Sequence, residues 1–206
     1  MRPINRKELW IAELTLLIAA GLQLTISDKL RIGPKYLVSA LLILLIFGIT
    51  FTAPRRHLGK ATPHITIATL LIGIVSIANA AELALLVKAL LHSSSLPGKS
   101  LLSGALAIFL TNIIVFGLWY WELDSPGLSG RHKNTKRDFQ FPQSSRDNWE
   151  PLFFDYLYVS LTNSTAFSPT DTMPLTHAAK LLMSAQALIA LITVVLVTAR
   201  AVNILA

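Results

Sequence analysis

PLFFDYLYVSLTNSTAFSPTD, residues 151–171, is the stretch on which the fold turns. From Pro151 to Ser164 it is apolar and aromatic. At about 1.5 Å per residue this predicts a helix of only ~21 Å, too short to cross the ~30 Å hydrocarbon layer of a membrane. Asn148 is placed to cap the helix, with Glu150 and Pro151 suited to its first turn. The far end turns rich in hydroxyls and amides through Thr162, Asn163, Ser164 and Thr165. Pro169 then prevents a helix from continuing across Ala166, Phe167, Ser168, Thr170 and Asp171. A half-helix followed by extended backbone is tolerated at membrane depth only where protein or a water-filled cavity surrounds it. The carbonyl end of such a helix favours cations in front of it.

The remaining sequence supplies the membrane context. Apolar residues make up 53% of the 206 residues and charged residues 14%, against about 25% in a soluble domain. Five runs are long enough to span: 9–27, 36–52, 65–91, 101–121 and 176–205. The connectors carry Gly33-Pro34, Pro54, Pro63 and Pro97-Gly98. The first run is longer than a signal-peptide core, and Thr25-Ile26-Ser27-Asp28 is a poor cleavage site, so it reads as a retained helix. Trp119, Tyr120 and Trp121 close the fourth run as an aromatic belt would. The fold class expected is therefore an all-α membrane protein with five transmembrane helices plus a re-entrant half-helix.

The net charge of +7 sits in short clusters between apolar runs, a distribution that sets topology rather than binding nucleic acid. The absence of cysteine excludes disulfides and thiolate metal sites. His57 and His64 lack the spacing of a two-histidine metal site. No nucleophile–base pair, phosphate-binding loop or paired-carboxylate site is present. The expectation is a protein that is not an enzyme and uses no metal and no cofactor.

Asp171-Thr172-Met173-Pro174-Leu175-Thr176-His177-Ala178-Ala179-Lys180 is similar to the segment that follows the filter in the pore module of tetrameric potassium-channel-like cation channels. Counting back from Asp171, Tyr158 and Ser160 fall where that family's pore helix has an aromatic and a serine, and Thr165 falls on its filter threonine. The filter departs from the pattern, with Phe167-Ser168-Pro169-Thr170 in place of Val-Gly-Tyr-Gly, and the final span contains no glycine. The layout is also similar to an uncharacterised group of bacterial five-helix membrane proteins. The channel resemblance implies a three-helix transmembrane block over 1–100 and a pore-like module over 101–206. That module comprises an outer helix 101–121, a polar loop 122–150, a pore helix 151–164, a filter-like strand 165–171 and an inner helix 176–205. It further implies a homo-oligomer, a tetramer by analogy, in the bilayer of a bacterial inner membrane. There Thr162–Asp171 would line a pathway for monovalent cations, with little selectivity because stacked carbonyl rings need glycine.

Other readings of the same residues stay open. Residues 151–171 also suit a segment packed on the bundle without conducting, as in a small-solute transporter, a sensor or a structural subunit. Gln186 either faces a pore or joins two helices. Glu13 and Glu82 are acidic groups in or near apolar runs, where they serve structural pairing or ion and proton transfer. Glu82 stands six residues from Lys88 and shares a helix face with Asn79. Placing the N-terminus in the cytoplasm puts eleven basic residues on that side and five on the other, as the positive-inside rule favours. The loop then enters from the cytoplasmic side, inverted relative to potassium channels, as in ionotropic glutamate receptors.

Overall fold

The computed structural model describes residues 6–52, 63–91, 96–124, 137–146, 149–165 and 172–205. Among them are six α-helices: α1 (Arg6–Leu24), α2 (Leu37–Thr52), α3 (Pro63–Leu91), α4 (Gly98–Leu123), α5 (Phe153–Thr165) and α6 (His177–Leu205). Two short strands, β1 (Phe139–Gln140) and β2 (Met173–Pro174), pair antiparallel with Phe139 opposite Pro174. Residues 166–171, most of the polar loop, Asn148 and His57 lie outside the described residues.

Each of the five apolar runs is a helix. Three of them, over Ile67–Leu91, Gly98–Leu123 and His177–Arg200, are long and apolar enough to cross a membrane. The other two fall short for separate reasons. α2 is apolar throughout but has only 16 residues, about 24 Å of helix. α1 has 19 residues, among them Arg6, Lys7, Glu8 and Glu13. The turn between them uses Gly33 at φ 73°, a left-handed conformation that glycine takes without strain, followed by Pro34.

α4 is the central pillar. Within the apolar windows, 72% of α4 is buried by the rest of the chain against 22% of α6. α3 runs antiparallel to it, with Trp119 donating from Nε1 to the Ser76 hydroxyl at 2.8 Å and Thr69 donating to Glu122 at 3.1 Å. α1 and α2 form an antiparallel pair: Ser39 donates to the Ala20 carbonyl at 2.9 Å and Thr50 to the Glu13 carboxylate at 2.6 Å. One hydrophobic cluster takes residues from all six helices, including Leu16, Leu45, Ile72, Leu118, Tyr156 and Met183. Trp119–Trp121 correct the aromatic-belt expectation. Trp119 is partly buried, and Tyr120 and Trp121 are fully buried, because β1 and α5 pack over them.

α5 descends along α4 in the opposite direction. The Phe153 ring lies 5.0 Å from that of Trp121, Leu157 lies over Gly117, and Ser160 donates to the Ile113 carbonyl at 2.6 Å. Extended by the remaining turn, this register brings the last residues of α5 level with the middle of α4. α6 starts back at the level where α5 starts, with Leu175 N–H donating to the Asp138 carbonyl at 2.8 Å beside the β1–β2 pair. The start of α1, the end of α4 and the starts of α5 and α6 therefore share one end of the bundle.

Gly117 permits this close descent. A Cβ there would stand 3.2 Å from the Leu157 Cα, a backbone atom that cannot swing aside. Gly117→Ala is expected to push α5 outward and cost about 1–2 kcal/mol despite alanine's better helix propensity. Thermal unfolding in detergent measures this, and an Ala variant as stable as the parent would mean α5 adjusts freely.

Candidate functional site: the short helix α5 and its polar seat

The sequence of α5 divides its surface cleanly. Phe153, Tyr156, Val159, Ser160 and Ser164 are buried, while Phe154, Tyr158 and Leu161 are exposed. The buried face is aromatic at the upper end and polar at the lower end, and each half finds a matching environment.

At the upper end the first N–H groups of α5 are taken by carboxylates. Phe153 N–H donates to Glu8 at 3.0 Å and Leu152 N–H to Asp155 at 2.7 Å. This corrects the expected helix start: Glu150 and Pro151 precede the helix instead of forming its first turn. A carboxylate brought from α1 does the capping, which also places negative charge at the positive end of the helix dipole. One turn further on, the Tyr156 hydroxyl donates to Asp124 at 2.7 Å, and the other Asp124 oxygen accepts the Asp138 N–H at 2.8 Å. The Asp138 carboxylate accepts the Thr176 hydroxyl at 2.5 Å. Phe139 and Phe141 pack against Tyr156, with ring centroids 6.3 and 5.4 Å away. The end of α4, the strand pair, the start of α5 and the start of α6 are thus tied into one platform.

At the lower end Gln186 of α6 is the hub. Its side chain is fully buried, and its Nε2 donates to the Ser160 hydroxyl at 2.6 Å and the Ser164 hydroxyl at 2.7 Å. Its Oε1 accepts the Tyr120 hydroxyl and the Asn163 amide, the latter at 3.0 Å. Asn163 also donates to the Met183 carbonyl at 2.9 Å. The Gln186 side chain therefore points into the chain and joins α4, α5 and α6. Buried polar groups of this kind fix one arrangement, because any displacement leaves several of them unpaired.

The candidate residues separate accordingly. Asn163 and Ser164 belong to this network. Thr162 and Thr165 bond back to carbonyls of their own helix, Thr162 to Tyr158 at 2.9 Å and Thr165 to Leu161 at 3.0 Å. Ala166, Phe167, Ser168, Pro169, Thr170 and Asp171 lie outside the described residues. Glu13 accepts the Thr50 hydroxyl between α1 and α2. Glu82 is fully buried on α3, facing Gln23 of α1 and within electrostatic reach of Arg31.

Glu8, Tyr120 and Asp124 are missed by sequence reasoning. Glu8 meets Phe153 across 145 positions of sequence, and nothing local marks it as a cap. Asp124 carried a weak signal, as an acidic residue directly after an apolar helix. Tyr120 was hidden between two tryptophans that suggest a membrane interface. Comparison with protein-family models, with curated proteins and with solved structures finds no match to this chain.

Proposed function

We propose that this is a five-span, multi-pass protein of a bacterial inner membrane in which α5 and residues 166–171 form a re-entrant hairpin. Four copies would arrange these hairpins around an axis and provide a weakly selective pathway for monovalent cations. The observation that carries the reading is the level of the two ends of α5. The helix begins beside the end of α4, its last turn lies level with the middle of α4, and α6 begins again beside the end of α4. A chain that descends halfway and returns to the same end has the layout of a pore loop. The exposed row of Phe154, Tyr158 and Leu161 suits packing against a neighbouring copy. One chain contributes one hairpin, so a ring needs several.

The test combines symmetry with flux. Single-particle imaging in lipid nanodiscs is expected to give a four-fold particle with 153–176 nearest the axis. In liposomes of purified protein, the reversal potential is expected to place potassium and sodium permeabilities within about threefold, since Phe167-Ser168-Pro169-Thr170 supplies no glycine for carbonyl rings. Strong potassium preference would overturn the weak-selectivity expectation, and absence of any flux the channel reading itself.

A second reading has its own support. The Gln186 network is closed within one chain, as suits a rigid seat for a loop that does not conduct. That reading, a solute transporter, sensor or structural subunit, predicts a single protomer or dimer without a central axis.

A further inference from the structure

Between α3 and α1, level with the middle of α4, a carboxylate is buried without a completed hydrogen bond. Glu82 of α3 is fully buried; the Gln23 side chain and the Ile32 N–H face its carboxylate, but neither oxygen is in full hydrogen-bond geometry with them. The Gln23 side chain of α1 faces it and is 2% exposed, with both amide atoms unpartnered. Asn79 lies one turn earlier on α3, on the same face, with its Oδ1 also buried and unpartnered. Ile26, Leu30, Leu83 and Ile108 form the buried apolar surroundings. A carboxylate in such surroundings needs a positive charge beside it.

Arg31 is the nearest source of one and acts on Glu82 electrostatically, but its two terminal nitrogens bond elsewhere and its Nε is buried without a hydrogen-bond partner. Nη1 donates to Asp28 at 2.6 Å, and Nη2 donates to the carbonyls of Ile26 and Gln23. Asp28 and Arg31 neutralise each other, and one negative charge remains on Glu82. The neighbouring elements do not supply a second cation at this position. α2 carries no ionisable residue, and α4 has no cationic one after Lys99. Lys88 stands nearly two turns further along α3 and is not among the groups that act on Glu82. Arg200 of α6 lies beyond, against Leu86 and Leu101.

We propose that Glu82, together with the side-chain oxygens of Gln23 and Asn79, binds a monovalent cation inside the bundle, either a proton or a sodium ion. Two carboxylate oxygens and two amide oxygens are the donors a small hard cation takes. Within hydrophobic spans, acidic groups of this kind mark ion and proton pathways. The Asp28 side chain, 86% exposed, joins this cluster to the surface through Arg31, which is 4% exposed.

Dicyclohexylcarbodiimide, which attacks protonated carboxyls in apolar surroundings, tests this on the full chain in detergent. Peptide mass spectrometry is expected to find the adduct on Glu82, absent from Glu82→Gln. In sodium-free buffer the labelling rate should fall about tenfold per pH unit once the group titrates. Suppression by sodium chloride, but not by choline chloride, identifies sodium as the bound ion; insensitivity to sodium identifies the proton. No adduct on Glu82 at any pH in sodium-free buffer overturns the proposal. So does Glu82→Gln unfolding the chain while Arg31→Gln in the same chain restores it, since Glu82 would then be a plain counter-ion for Arg31.

Discussion

Gln186→Leu is expected to destabilise the protein by about 3 kcal/mol, seen as an earlier thermal transition in detergent. The substitution fills nearly the same volume, so loss of packing contributes little. It leaves the Tyr120 hydroxyl without its acceptor and the Ser164 hydroxyl without the partner it has now, and Asn163 with its bonds to the Met183 carbonyl and the Tyr120 oxygen. Ser160 keeps its bond to Ile113 and loses only the second one. Each orphaned buried group costs about 1–3 kcal/mol, and the losses overlap because Asn163 already donates to the Tyr120 hydroxyl at 3.4 Å and keeps that bond. A double-mutant cycle isolates one contact. With Tyr120→Phe already in place, Gln186→Leu should cost about 1 kcal/mol less, since neither member of that bond remains to be left unpaired. A stability loss below about 0.5 kcal/mol would show that the lower half of α5 is not held by Gln186.

That network bears on what a sequence can reveal. The length of each helix was legible because hydrophobic run length and proline position are local properties. The run 151–164 was recognisable as a short helix for the same reason. The partners of α5 were not legible, because they are chosen by how helices cross, not by spacing along the chain. Gln186 was visible as a polar residue in an apolar span, yet whether it faced outward or inward depended on α5 filling the space beside it. The helix start was misjudged for a related reason. Proline and glutamate before a helix are favourable in isolation, but Glu8 from a distant helix already holds the Phe153 N–H. Glu82 shows the same limit: Lys88 was the nearest opposite charge in sequence, whereas the folded chain brings Gln23 and Arg31 beside it.

The platform at the upper end depends on Asp124 in the way the lower end depends on Gln186. Asp124 is fully buried, and its two oxygens serve two different elements, Tyr156 of α5 and the backbone of Asp138. Asp124→Ala leaves both donors buried without that acceptor, a cost of about 3 kcal/mol. The loss should concentrate locally. Asp138 carries its bonds to Leu175 and Thr176, so a loosened Asp138 releases the β1–β2 pair and the first turn of α6 together. Hydrogen exchange at the Asp138 and Leu175 amides is expected to accelerate about a hundredfold, while amides in the middle of α4 change less. Asp124→Asn discriminates charge from geometry. Its amide oxygen can still accept the Asp138 N–H, and its amide nitrogen can donate to the Tyr156 oxygen, so exchange should rise less than about tenfold. If the Ala variant leaves Leu175 as protected as before, the strand pair holds without Asp124. The start of α6 would then be fixed by Asp138 and Thr176 alone, and the two ends of the 153–176 segment would be anchored independently.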